Sequence, residues 1–197
     1  GALRQAGYRV TLLEEAHDGL PRPAWLPPLR AVDAAVVWLG EMYPANQIPG
    51  TRAFLDLVGP GERRPVVLGG GFFPLIDVEG LALGERVSAV VTGPGEVVLP
   101  ALLSALLAGR SARDVPGVAS WEGGRFLSTP PPPRRPLDPE WNRVLEDLDL
   151  AAYAGPEPLV FDNREPSLQI LTGLGCAKRC PFCFDQRTPY GVFPAAA

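Results

Sequence analysis

The sequence contains no apolar run approaching the roughly 18 residues that a membrane-spanning helix needs. Its longest apolar stretches are interrupted well before that length, which excludes a transmembrane helix. No apolar h-region follows the opening Gly-Ala-Leu-Arg-Gln, so no secretory leader is expected. The first residue is Gly rather than Met, as in a processed or truncated chain. Lysine is nearly missing: Lys178 is the only one among 18 basic residues. Those 18 face 22 acidic residues, for a net charge of -4, and no basic stripe is visible. General nucleic-acid binding is therefore not expected. Cysteine is scarce too. Cys176, Cys180 and Cys183 are the only three. An odd number at so tight a spacing excludes a disulfide framework and points to a reducing, cytoplasmic compartment with a metal site.

What is abundant is chain punctuation, with 24 Pro and 22 Gly. Such content approaches the level of low-complexity disorder. The 46% hydrophobic fraction argues the other way, because that much apolar surface can be buried. A length of 197 residues suits one domain with appendages and is short for two.

Read in order, Leu3 to Ala6 are the end of a helix that Gly7 stops. Tyr8 to Leu13 form a strand, Asp18 to Leu29 a Pro-rich loop, and Ala34 to Leu39 a strand buried on both faces. Thr51 to Val58 follow as a helix. Pro65 to Leu68 are a third strand, ending in Gly69-Gly70-Gly71. A short helix spans Leu75 to Leu83, and a fourth strand Val87 to Val91. That strand leads through Gly93-Pro94-Gly95-Glu96 into a helix over Val97 to Leu107, with Pro100 near its first turn and Gly109 as its stop. Strand alternating with helix predicts an α/β fold with a doubly wound parallel sheet. A helix tail ahead of the first strand implies that an earlier strand is missing. Beyond residue 110, Val118 to Trp121 and Arg125 to Leu127 flank Glu122-Gly123-Gly124 as a small hairpin. Thr129 to Pro136 are a polyproline II linker. Trp141 to Tyr153 read as a short acidic helix, and Ser167 to Thr172 as a strand that feeds the cysteines.

Within Cys176-Ala-Lys-Arg-Cys180-Pro-Phe-Cys183, each thiolate can hold one iron of a 4Fe–4S cluster, leaving the fourth iron without a protein ligand. That open position can take a molecule bearing an amine and a carboxylate. Lys178 and Arg179 offset negative charge, while Pro181 and Phe182 stiffen and shield one side. Zinc is the structural alternative. It wants four ligands, and the single histidine, His17, is far away in sequence.

The glycine-rich turns fall at strand ends, where open α/β sheets bind ligands. Gly69, Gly70 and Gly71 read equally as a tight turn and as a place where backbone approaches a ligand. Beyond Gly93 and Gly95 the next helix offers free N–H groups to a phosphate or amide. Trp38 and Leu39 can pack on a planar ligand, although core packing is the more ordinary role. Glu96 reads as a helix N-terminal charge rather than a catalytic group. His17 reads as an ordinary loop histidine.

CAKRCPFC resembles the Cys-x3-Cys-x2-Cys cluster motif of radical S-adenosylmethionine (SAM) enzymes, with Phe182 in the aromatic place before the last cysteine. GPGEVVLPALLSALLAGRSARDVPGVASWEGGRF, residues 93–126, with Gly93-Pro94-Gly95-Glu96 and Val115-Pro116-Gly117, resembles the end of the cobalamin-binding-type domain that many of these enzymes carry. VVLGGGFFP resembles its strand followed by Gly-Gly. The resemblance implies a cobalamin-binding or flavodoxin-like domain over 1–128, a linker over 129–166, and the first strand and cluster loop of a radical SAM β/α barrel over 167–197. It implies three cofactors: a 4Fe–4S cluster on the three cysteines, SAM on the open iron, with Phe182 beside it, and cobalamin near Trp38, Gly69, Gly70, Gly71, Gly93 and Gly95. An electron from the cluster would cleave SAM to methionine and a 5′-deoxyadenosyl radical. A small-molecule or peptide substrate and a ferredoxin- or flavodoxin-type electron donor are the partners implied, with methyl transfer to an unactivated centre or another radical outcome.

The sequence departs from that family in two respects. Glu15-Ala16-His17-Asp18-Gly19 does not match the Asp-x-His-x-x-Gly cobalt-ligand motif of methionine-synthase-type domains. Only Phe184 to Ala197 follow the cluster loop, too few for a barrel, so the chain alone is expected to be inactive. Two further readings stand beside the first. One is a radical SAM protein whose N-terminal domain docks substrate without cobalamin. The other is a non-enzymatic iron–sulfur carrier, which needs a fourth ligand.

Overall fold

The computed structural model describes residues 1–13, 26–38, 44–59, 63–70, 86–133, 173–174, 176–178, 180–181 and 191–192. The elements expected at Leu75 to Leu83, Trp141 to Tyr153 and Ser167 to Thr172 lie outside them. The chain divides into two compact units, residues 2–135 and residues 136–197 with Gly1.

The first unit is built on a five-stranded sheet. Strands β1 (Ala35–Trp38), β2 (Val66–Gly69), β3 (Ala89–Val91), β4 (Val118–Glu122) and β5 (Arg125–Ser128) lie side by side in that order. β1, β2 and β3 are parallel, with Val36 opposite Val67 and Val67 opposite Ala89. β4 runs antiparallel to β3, and β5 to β4. The sheet is therefore mixed rather than wholly parallel as expected. The cause is the route of residues 108–117, which return the chain to the end where β3 stops. There the Gly117 carbonyl accepts the N–H groups of Thr92 (2.8 Å) and Gly93 (3.1 Å). A strand that starts from that end can only run opposite to β3.

Helices cover both faces, because alternate residues of the central strand point to opposite sides. Val66 and Leu68 pack with Leu29 of α2 (Leu26–Arg30) and with Phe54 and Leu55 of α3 (Pro44–Val58). Val67 packs instead with Val98, Leu99, Leu102, Leu103 and Ala105 of α4 (Gly95–Leu107), and Leu3 of α1 (Ala2–Gln5) joins that cluster. Val67, Leu68 and Leu102 are all 0% exposed, so β2 and the helix face over it form a dry interface. The Arg64 guanidinium donates to the Leu29 carbonyl and to that of Val32 (3.5 Å), tying the loop after α2 to the approach to β2.

Several local expectations are corrected. Residues 8–13 are not a strand, since they make no ladder with any described residue. Tyr8 packs instead against the α1/α4 cluster and Leu13 against the opposite one, while Leu12 is exposed. The Tyr8 hydroxyl reaches the Pro100 carbonyl at 3.5 Å. Within the stretch expected to be loop, Leu26–Arg30 is helical. Pro27 and Pro28 fall in its first turn, where the missing N–H groups would have no intrahelical partner. α3 starts at Pro44, seven residues ahead of the expected Thr51, and continues through Pro49. α4 starts at Gly95, so Pro100 falls in its second turn. β1 is half-buried on one face, at Ala35 and Val37, and exposed on the other, with Val36 38% and Trp38 63% exposed. It is the outermost strand among the described residues, and α4 packs over the centre of the sheet.

The hairpin forms as expected, with Glu122 opposite Arg125 across a two-residue turn. Gly123 (φ 55°) and Gly124 (φ 78°) both occupy the left-handed region, as a type I′ turn requires. A Cβ at either glycine would meet nothing within 4 Å, so the backbone alone sets the penalty of substitution. Gly123→Ala and Gly124→Ala are each expected to lower unfolding free energy by about 1 kcal/mol, measured by urea denaturation. The hairpin is also no appendage: β4 joins the main sheet through Val90–Ala119 and Val91–Val118.

In the second unit, β6 (Gly173–Leu174) pairs antiparallel with β7 (Gly191–Val192). Among the described residues of the whole chain, no helix is long and apolar enough to cross a membrane.

Candidate cofactor site

The C-terminal ends of β1, β2 and β3 lie along one rim of the first unit. There Trp38 is opposite Gly69. Its indole, 63% exposed, stands beside a position with no side chain. Core packing, the ordinary role for a strand tryptophan, is not what the structure gives Trp38. A flat apolar ring next to bare backbone is a surface on which a planar ligand can lie. Gly70, immediately after β2, has φ 132° and is glycine for the sake of the turn. A Cβ on Gly69 would make only an ordinary 3.8 Å contact with that of Val91, so packing within the unit does not demand glycine there. Gly71, Leu39 and His17 lie outside the described residues.

At the end of β3 the two candidate glycines differ. A Cβ on Gly93 would lie 3.1 Å from Val98 Cγ2, 3.2 Å from Pro132 Cδ and 3.3 Å from Gly117 Cα. Close packing within the unit accounts for this glycine. Gly95 is the first residue of α4, and a Cβ there would meet only Leu99 Cδ1, at 3.8 Å. Pro94 is the N-cap, and no side chain closes the helix end. Glu96 sits in the first turn, as expected of a charge that favours the helix dipole. Its Oε1 is buried without a hydrogen-bond partner, a feature that sequence reading missed. Nothing in the local pattern signals it, since a first-turn glutamate is ordinarily solvated.

In the second unit, Cys176 is exposed and Cys180 half-buried, and neither is in a disulfide. β6 ends two residues before Cys176. The Lys178 backbone N–H donates to Cys176 Sγ at 3.4 Å, so the loop already turns an amide towards the first sulfur. Amide donors to a cluster's sulfur ligands stabilise their negative charge and tune the potential. Cys183 and Phe182 lie outside the described residues, and no set of three metal-ligating side chains is assembled among those that are described. The two cysteines and the amide suit a thiolate-held metal.

The first unit is thus an α/β layer with helices on both sheet faces and an exposed tryptophan beside glycines at the strand ends. No protein-family model matches the chain, and no curated protein matches it in sequence. Solved structures of the radical S-adenosylmethionine methyltransferase TsrM from Kitasatospora setae are similar in fold. One, with tryptophan substrate and a SAM analog (aza-SAM) bound, matches with a TM-score of 0.62 at 22% identity, over 93% of this chain and 36% of that one. Another, with cobalamin and a [4Fe-4S] cluster bound, matches with a TM-score of 0.57 at 23% identity, over 93% of this chain and 38% of that one. The chain spans a little over a third of the length of those proteins, and at such identity the likeness is one of fold.

Proposed function

We propose that the chain is part of a cobalamin-dependent-type radical SAM enzyme. The first unit would be its cobalamin-binding domain and residues 176–183 its cluster loop. What supports this reading is a coincidence: the Cys-x3-Cys-x2-Cys motif occurs in a chain whose fold matches TsrM over 93% of its length. Cys176, Cys180 and Cys183 would hold three irons of a 4Fe–4S cluster, with SAM on the fourth. The Lys178 amide would steady the Cys176 thiolate, and Phe182 would shield the cluster. Bound there, cluster and SAM supply radical chemistry that hydrolytic side chains cannot. Trp38 would lie against the corrin, with Gly69 and Gly70, and Gly71 beyond them, letting the ligand approach the backbone. Gly95 would offer the open end of α4 to a polar group, while Gly93 shapes the turn. In the longer protein, methyl transfer to an unactivated centre of a small-molecule or peptide substrate is the reaction this assembly suits. The electron would come from a ferredoxin- or flavodoxin-type donor in the cytoplasm.

Anaerobic reconstitution with iron and sulfide tests the cluster. The EPR signal of the reduced cluster is expected to change when SAM is added; a signal indifferent to SAM identifies an electron carrier instead. Titration with hydroxocobalamin tests the first unit, and absence of visible-spectrum uptake would leave it a docking module. Trp38→Ala is expected to weaken hydroxocobalamin binding about tenfold, or about 1.4 kcal/mol. Because the indole is exposed, the same variant should keep its unfolding free energy within about 0.5 kcal/mol.

A further inference from the structure

Residues 129–133, Thr-Pro-Pro-Pro-Pro, read from sequence as the start of a free linker, yet they are fastened to the first unit. The Thr129 N–H donates to the Val118 carbonyl at 2.8 Å, and the Gly117 N–H donates to the Pro130 carbonyl at 2.9 Å. The Thr129 hydroxyl accepts the Val118 N–H at 3.0 Å and lies 2.9 Å from the Val115 carbonyl. Pro132 then sits over the pair Gly93 and Gly117. A Cβ on Gly117 (φ +78°) would lie 2.8 Å from Pro132 Cδ, 3.0 Å from Val98 Cγ2 and 3.2 Å from Gly93 Cα. No side chain fits between Gly117 and Pro132, since real Cβ atoms essentially never approach within 3.0 Å. Gly93 belongs to the turn that joins β3 to α4, so the strap and the turn share one surface.

We propose that residues 129–133 are a latch. The strap stays docked while the β3–α4 turn holds its observed shape, and a shift of that turn by a few tenths of an ångström at Gly93 lifts Pro132 off. Once lifted, the four prolines remain extended, because proline fixes φ and polyproline II needs no internal hydrogen bonds. Release would free about 15 Å of extended chain beyond β5, at about 3.1 Å per residue. The turn would thereby control whether residues 129–133 lie on the first unit or stand away from it. This inference goes beyond the proposed function and does not depend on which ligand, if any, the rim takes.

Amide hydrogen exchange on the whole chain, resolved by NMR, tests the latch. In the unsubstituted protein, Gly117 and Thr129 N–H are expected to exchange as slowly as Ala119 in the sheet. Gly93→Ala inserts a methyl under Pro132 at a position whose φ is not left-handed. It should speed exchange at Gly117 and Thr129 at least tenfold while Val90 and Ala119 are unchanged. If Gly93→Ala does not fold, Pro132→Gly must produce the same selective acceleration, because it takes the ring off the pair and adds no methyl. The proposal is overturned by free-peptide exchange at Gly117 and Thr129 in the unsubstituted protein. It is equally overturned if the variant that folds leaves the two rates unchanged or speeds the whole sheet alike.

Discussion

Serine in place of Cys176, Cys180 or Cys183 is expected to strip the reconstituted protein of nearly all its iron. The unsubstituted chain should bind about four irons, one behind each thiolate and one without a protein ligand. A serine hydroxyl is a poor thiolate substitute near neutral pH, and three ligands leave no redundancy. Each single variant should therefore retain less than about one iron, by elemental analysis after anaerobic reconstitution. Lys178→Ala supplies the contrast. The group that reaches Cys176 Sγ is the backbone N–H of Lys178, so truncating the side chain should leave the iron content intact. Should the unsubstituted chain take up one zinc and reject iron, the cluster assignment fails, and with it the radical reading.

The second large effect is expected at Leu102. It is fully buried, 0% exposed, on the face of α4 that meets Val67 and Ala89 of the sheet. Leu102→Ala removes three heavy atoms from a close-packed interface and leaves a cavity that the surrounding helix and strands can only partly close. The expected loss is about 3 kcal/mol of unfolding free energy, by urea or thermal denaturation. Leu107 lies on the same helix and is 44% exposed. Leu107→Ala should change stability by no more than about 0.5 kcal/mol. Equal losses at the two positions would show that α4 does not present the face described.

The parallel core was legible because its signals are local. VVWL, PVVL and VSAVV are apolar runs bounded by Gly, Pro or charge, and they became β1, β2 and β3 with shifts of a residue or two. The Gly-Gly turn of the hairpin was legible because few residues other than glycine accept two successive left-handed positions. Strand direction was not legible. Hydrophobic alternation is the same whichever way a strand runs, and the reversal at β4 depends on where residues 108–117 deliver the chain. Pro27, Pro28 and Pro49 hid helix, because proline is read as a breaker unless its position within the helix is known.

The site divides along the same line. The cysteine motif is read from the sequence alone, since residue type and spacing are both local, and Cys183 lies outside the described residues. Trp38 was misjudged towards the core, because exposure depends on how far a strand lies from the helix over its sheet. Gly93 was read for a ligand, but a Cβ there would crowd Val98, Pro132 and Gly117, and the last two lie far along the chain. No local pattern reports such an encounter.

The prolines after Thr129 also bear on self-association. β5 is the outermost strand at its side of the sheet among the described residues. An open edge of this kind invites another chain to add a strand. The only main-chain N–H within 129–133 belongs to Thr129 and is already given to Val118. The four prolines that follow have none to offer. The edge available to an intruding strand therefore stops at the end of β5 and cannot lengthen into the strap, so the residues that fasten the linker also guard the sheet against edge-to-edge aggregation.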